Sequence, residues 1–164
     1  MYKVFIDNVP HEYDFEDEQT LLREFDDHKF VRAGGGIVKG AEGFLFIKRH
    51  ELWDIPKGKL EKKEAPTAGA VREVEEECGV ENPLIITHLC DTWHTYIHKG
   101  KNVLKKTYWY AMILDGKGQN LVPQTEEGIT EVRFFKRSQF DVVKSNTYLS
   151  IIEVMEKLEE LLDR

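Results

Sequence analysis

"GKLEKKEAPTAGAVREVEEECGV", residues 58–80, sets Glu75, Glu76 and Glu77 side by side on a segment bracketed by Gly58 and Gly79. Pro66 near its start and Gly79 at its end predict a helix over 65–78, because proline suits the first turn and glycine the position just past the last. On a wheel with Glu73 at zero, Glu76 falls at about −60° and Glu77 at about +40°. Val71, Val74 and Cys78 fall between about +100° and +160°. One face is expected to pack on a sheet, while the other gathers Glu73, Glu76 and Glu77 and turns them to solvent. Runs of glutamate on a helix ordinarily form a solvated face, and Arg72 offsets part of the charge. Like charges three or four residues apart still cost about 0.2–0.5 kcal/mol per pair, and more where solvent is restricted. A hard divalent cation would relieve that repulsion, since Mg²⁺ takes carboxylate, carbonyl, water and phosphate oxygens.

The surrounding chain narrows the chemistry. With 164 residues, 41% of them apolar and 11% aromatic, it can build one domain with its own core. No apolar run approaches the roughly 20 residues of a membrane span, and the opening MYKVFIDN has no basic region followed by an apolar one, so a cytoplasmic protein without a membrane partner is expected. Cys78 and Cys90 have neither CxxC nor Cys/His spacing and read as free thiols. The net charge is −7, and residues 11–27, HEYDFEDEQTLLREFDD, carry all of it, leaving the remainder balanced. A phosphate-bearing ligand is therefore compatible with the rest of the surface. Nucleic acid is not the expected partner, because there is no basic stripe and no helix-turn-helix or zinc-finger spacing.

Strands are expected at 2–6, 30–39, 43–49, 84–97, 103–114 and 131–135, joined where marked by the turns KGAEG and HKGKN. The acidic segment with Leu21, Leu22 and Phe25 reads as a helix. Residues 147–164 read as an amphipathic helix with Ile151, Ile152, Met155, Leu158 and Leu162 along one side. Strands interrupted by one helix and capped by another indicate a mixed α/β or α+β sandwich. GGG at 34–36 lacks a following Lys-Ser/Thr and marks close strand packing or a bulge, not a phosphate loop. His94 and His98 lie four apart on one strand and do not converge on a metal.

Gly58, Glu64, Arg72-Glu73-Val74, Glu76-Glu77 and Gly79-Val80 match every fixed position of the Nudix box, GX5EX7REUXEEXGU, where U is aliphatic. The chain thus resembles the Nudix hydrolase family, and the likeness extends through AGGGIV (33–38), Ile47-Lys48-Arg49 and WDIPKGKLE (53–61), from Phe30 to Phe135. The resemblance implies a single domain over 1–164, an α/β/α sandwich around a mixed sheet. Residues 1–29 form an acidic extension outside the clear likeness.

The family's roles carry over onto this chain's residues as expectations. Glu73, Glu76 and Glu77, helped by the carbonyl of Gly58, would hold Mg²⁺, with Mn²⁺ as a substitute; Arg72 and Glu64 would support those carboxylates. The reaction would be attack of water on phosphorus in a nucleoside diphosphate linked to another moiety. Glu73 is the first choice of general base and Glu127, in QTEEGITEV (124–132), the alternative, with Glu126 competing. Arg49, Lys57, Lys59, Lys105 and Lys106 are candidates to neutralise phosphates, strand alternation sending at most one of the last pair inward. Tyr96 and its spacing from the box resemble the dinucleoside polyphosphate and diphosphoinositol polyphosphate branch, and Trp93, Tyr108 and Trp109 divide between stacking a base and filling the core. The alternatives are a hydrolase that cleans the nucleoside triphosphate pool and a non-catalytic nucleotide sensor. Oligomeric state is open, with a homodimer as one option.

Overall fold

The computed structural model describes residues 1–116 and 119–164. Three strands with alternating side chains generate its layers. Ile37, Phe44, Phe46, Trp109 and Ala111 point to one face of the sheet, while Val38, Leu45, Ile47, Tyr110 and Met112 point to the other. Period-two side chains give each strand two apolar sides, and both must be covered.

The strands are β1 (Tyr2–Ile6), β2 (Val9–Tyr13), β3 (Lys29–Gly40), β4 (Gly43–Arg49), β5 (Leu52–Asp54), β6 (Lys57–Lys59), β7 (Leu84–His98), β8 (Lys101–Ile113) and β9 (Ile129–Phe135). They form one mixed sheet in the order β2-β1-β7-β8-β3-β4-β5, with β6 paired to β3 and β9 to β4. β3 runs parallel to β8, and β1 parallel to β7; the other pairs are antiparallel. Helix α2 (Pro66–Cys78) covers one face through Ala70, Val74 and Cys78. Helices α3 (Phe140–Lys144) and α4 (Leu149–Leu162) cover the other through Phe140, Val143, Ile151, Val154, Met155 and Leu158. The result is the expected α/β/α sandwich. No helix among the described residues is long and apolar enough to cross a membrane.

Several expectations need correction. Helix α1 (Glu18–Glu24) occupies only part of the acidic segment, because residues 9–13 instead complete a hairpin with β1. Asp7 and Asn8 form its turn with φ of 52° and 60°, the left-handed pair that a two-residue hairpin requires. Leu21 and Phe25 then join Val4, Trp93 and Leu104 in a third, smaller core. The short strands β5 and β6 escaped notice because three residues display no periodicity. On α4 the buried stripe runs through Val154, while Ile152 is half-buried and Leu162 is 39% exposed.

Glycine at 34 is a packing requirement. A Cβ there would lie 2.9 Å from the backbone nitrogen of Ala70 and 2.9 Å from the carbonyl oxygen of Pro66, so α2 rests directly on the β3 backbone. Backbone cannot move aside as a side-chain tip can. Gly34→Ala should therefore destabilise the protein by about 1–3 kcal/mol, read as a lower urea midpoint at unchanged slope.

Candidate functional site

The box loop and α2 are joined through one guanidinium. Arg72 Nε and Nη2 donate to Glu64 Oε2 and Oε1 at 2.8 and 2.9 Å, and Nη2 also reaches the carbonyl of Lys59 at 3.1 Å. Its Nη1 donates to Glu73 Oε1 at 2.9 Å and to Glu76 Oε2 at 3.1 Å. The hydrogen bonds from Arg72, then one from the Glu61 backbone, draw the Glu64 carboxyl down to a pKa of about 2. Gly58 lies against Glu73 so closely that a Cβ on it would sit 2.1 Å from Glu73 Oε2. Only glycine permits that approach.

Glu77 does not face solvent as expected; it is 2% exposed. It sits at the edge of the helix's apolar sector, where β4 and β6 close over it. Arg49 Nη2 donates to its Oε2 at 2.7 Å, and the Lys57 backbone N–H donates to its Oε1 at 2.9 Å. Burial nevertheless dominates, raising its pKa to about 7 against the pull of Arg49 and Lys57. Burial likewise raises the pKa of Glu73, opposed by Arg72 and assisted by Glu76 and Glu127. Glu127, exposed on a short 3₁₀ turn (Thr125–Glu127), is thus within electrostatic reach of Glu73. The loop carrying it is tied to the end of α2 by Val122 N–H to Cys78 O at 2.8 Å and Gln124 N–H to Glu77 O at 3.2 Å.

Beside Glu77 opens a cavity of about 780 Å³, whose lining includes Arg49, Asp54, Lys57, His94, Tyr96 and Lys105. Lys57 Nζ is engaged by the buried Asp54 at 2.8 Å. Lys105 stands 4.9 Å over the Tyr96 ring and, among the described residues, has no carboxylate within ion-pair distance. Arg49 Nε is buried without a hydrogen-bond partner. Of the cavity's cations, Lys105 is thus the one without a carboxylate partner among the described residues, while Arg49 and Lys57 are engaged by Glu77 and Asp54. Burial, then Lys57 and Lys105, hold the pKa of His94 down to about 4, so its imidazole is neutral.

Lys106 belongs elsewhere, as alternation requires once Lys105 faces the cavity. It donates to Glu18 at 2.6 Å and lies 4.5 Å over Tyr108. Lys59 contributes its carbonyl to Arg72. Trp93 and Trp109 are buried in the cores, Trp109 donating from Nε1 to Thr92 Oγ1 at 2.7 Å. Of the aromatics considered for stacking, Tyr96 is half-buried on the cavity wall, and Trp109 exposes only an edge there. Sequence reasoning missed Asp54 and assigned His94 no role; neither lies in a motif of its own.

Among the described residues no three His, Cys, Asp or Glu side chains are gathered closely enough to hold a metal ion. The reason is visible: Arg72 stands between Glu73 and Glu76, and Glu77 is turned to Arg49 and Lys57. The donor chemistry still fits a hard divalent cation. Glu73 and Glu76 already share one positive charge, Arg72 Nη1, and the Gly58 backbone lies against the Glu73 carboxylate. Those groups, with Glu77, could hold one without loss of the Arg72–Glu64 pair.

A model of the NUDIX domain matches residues 29–158. An RNA pyrophosphohydrolase from Zymomonas mobilis is 44% identical over 78 residues, 43% of this chain and 50% of that protein. The chain spans half or less of the length of the curated relatives it matches. The NUDIX domain of Shewanella oneidensis NrtR, solved with ADP ribose, superimposes with a TM-score of 0.64 at 16% identity over 89% of this chain and 99% of that one. A C. elegans Ap4A hydrolase does so with a TM-score of 0.56 at 20% identity over 81% and 98%. At such identities the likeness concerns the fold.

The unpartnered lysine has a measurable signature. Burial, then Lys57 and Arg49, lower the pKa of Lys105 from 10.5 to about 8. Its folded value lies below the unfolded one, so the protonated side chain weakens the fold below about pH 8, and the penalty fades as pH rises past the unfolded value. Lys105→Met should melt above the wild type at neutral pH, with the gap narrowing above about pH 8 and closing only past the unfolded value of 10.5 in a fluorimetric pH series. Lys106→Met, which strands Glu18, should melt no higher than the wild type.

Proposed function

The chain belongs to the Nudix family, and from that premise we propose that it is a metal-dependent pyrophosphohydrolase acting on a phosphate-rich nucleotide-type substrate. The observation that carries this reading is the placement of a cavity lined by Arg49, Lys57 and Lys105 directly beside the box carboxylate Glu77, with Lys105 free of any carboxylate partner among the described residues. Mg²⁺ is the proposed cofactor, with Mn²⁺ able to replace it, held by Glu73, Glu76, Glu77 and the carbonyl of Gly58. When bound, it would neutralise phosphate oxygens and acidify the attacking water.

The remaining work falls to this chain's side chains. Lys105 and Arg49 bind phosphate oxygens, and Lys57, steadied by Asp54, adds charge next to them. Arg72 orients Glu73 and Glu76 while its bidentate hold on Glu64 keeps the box loop in register. Glu73 serves as general base at Oε2, the oxygen that Arg72 leaves free, and burial makes that carboxylate a better proton acceptor. Glu127 is the second candidate through its reach to Glu73. Lys106, engaged with Glu18, is not among the residues that line this cavity.

Dinucleoside polyphosphates and diphosphoinositol polyphosphates are the first substrates to test, with nucleoside triphosphates as the alternative. A second reading, the 5′-triphosphate end of RNA, is favoured by the names of the relatives from Zymomonas mobilis and Rhodospirillum rubrum. The acidic segment at 11–27 opposes extended contact with an RNA backbone.

A panel with Mg²⁺, comprising diadenosine tetraphosphate, a diphosphoinositol polyphosphate, ATP, ADP-ribose and a 5′-triphosphorylated oligoribonucleotide, decides among these by product chromatography. Glu73→Gln should lower kcat by about 10²–10⁴-fold on whichever substrate is cleaved. Mg²⁺ should raise the melting temperature of the wild type, and Glu76→Gln should blunt that rise. A protein that binds nucleotides but turns over none of the panel is a sensor, and the hydrolase reading then fails.

A further inference from the structure

The cavity has a wall that the family match does not include. Phe5, Ile6, Asp7, Asn8 and His28 line it, and all precede residue 29, where the match begins. The hairpin of β1 and β2 reaches the cavity because β1 extends the sheet beyond β7, with Phe5 opposite His94, which in turn lies opposite Lys105. The Asp7–Asn8 turn is thus two strand spacings across and two residues along from Lys105, about 12 Å in backbone terms. Neutral His94 and the Tyr96 ring lie between.

The turn is anchored. Asn8 Oδ1 accepts a hydrogen bond from the backbone N–H of Leu149 at 2.9 Å. That N–H opens α4, whose own N-cap residue, Tyr148, makes no side-chain cap, so Asn8 satisfies a helix donor from a remote part of the chain. Lys3 on β1 forms a second tie, an ion pair with Glu153 on α4. Tyr148, Ser150 and Ile151, at the start of α4, share the same wall. The hairpin and α4 therefore face the cavity as one unit.

The chemistry of this wall differs from that of the cation end. Asp7 offers only acceptors when ionised, and Asn8, Tyr148 and Ser150 are neutral and polar. A phosphate chain is repelled by Asp7; a sugar hydroxyl or base amino group is not. Resting on the proposed phosphate-binding role of Lys105 and Arg49, we propose that the Asp7–Asn8 turn is a specificity element for the nucleoside of the substrate, with Asp7 accepting a hydrogen bond from it and Asn8 acting as the positioning residue that holds the turn on α4.

ATP and inorganic tripolyphosphate separate the two ends of the cavity, since they share three phosphates and differ by the adenosine. Both are titrated against the full chain in EDTA, which suppresses the proposed metal-dependent turnover and leaves Glu73 intact. Asp7→Gly, which keeps the φ > 0 turn without strain, should weaken ATP about tenfold, some 1.4 kcal/mol, and leave tripolyphosphate unchanged or tighter. Asn8→Gly should weaken ATP likewise, and Asn8→Asp, which retains the acceptor and suits a helix N-terminus, should restore it. Equal changes in both ligands, or none, overturn the specificity role of the turn. Failure of the full chain to bind tripolyphosphate, or binding that Lys105→Met leaves unchanged, instead overturns the phosphate site itself.

Discussion

The site depends on how one guanidinium divides its hydrogen bonds. Arg72 gives two donors to Glu64, which fixes the box loop, and spreads a third over Glu73 and Glu76, which fixes the helix side chains. Those carboxylates lie within the sector where like charge would otherwise open the helix outward. Arginine suits the position because its planar fork reaches several oxygens at once, which the point charge of a lysine cannot do. The close approach of Gly58 to Glu73 follows from the same clamp, since the loop is drawn against α2 along its length.

Glu77 is held on a different principle. Its partners, Arg49 and the Lys57 backbone, come from β4 and β6, so its environment is set by the sheet. Burial raises its pKa even with that positive charge beside it. A carboxylate kept dry among cations is a poor surface residue and a useful one at a reaction centre, where exclusion of water strengthens every charge interaction. Lys105 pays the corresponding penalty with the opposite sign, half-buried beside Lys57 and Arg49 with its pKa lowered. Both groups cost the fold stability where they sit.

The sandwich explains why these groups meet. β6 is short and pairs with the glycine stretch of β3, bringing Gly58 opposite Gly34, while α2 crosses the same glycine from above. The cavity forms where β1, β7 and β8 end against the start of α4, so its cations and its polar wall come from distant parts of the chain. Neither half is local.

Much of this was legible in the residues themselves. Helix geometry gathered Glu73, Glu76 and Glu77 beside Arg72, a short-range consequence of sequence, while Gly58 and Glu64 were singled out by the resemblance of the box. The long strands and α2 were legible for the same reason: alternation and helix-end residues act within a few positions. What sequence could not supply was which side of a boundary a residue takes. Glu77 lies between the polar and apolar sectors of α2, and only the covering strands decide that it is buried. Lys105 and Lys106 are equivalent in sequence, and only the register of β8 against β7 and β3 sends the first to the cavity and the second to Glu18. Asp7 and Asn8 bear a readable turn, yet their place on the cavity wall depends on a parallel pairing with β7 and a hydrogen bond across 141 residues. Long-range pairings of this kind leave no periodic trace, because their cause is the burial of whole faces and not the character of neighbours along the chain.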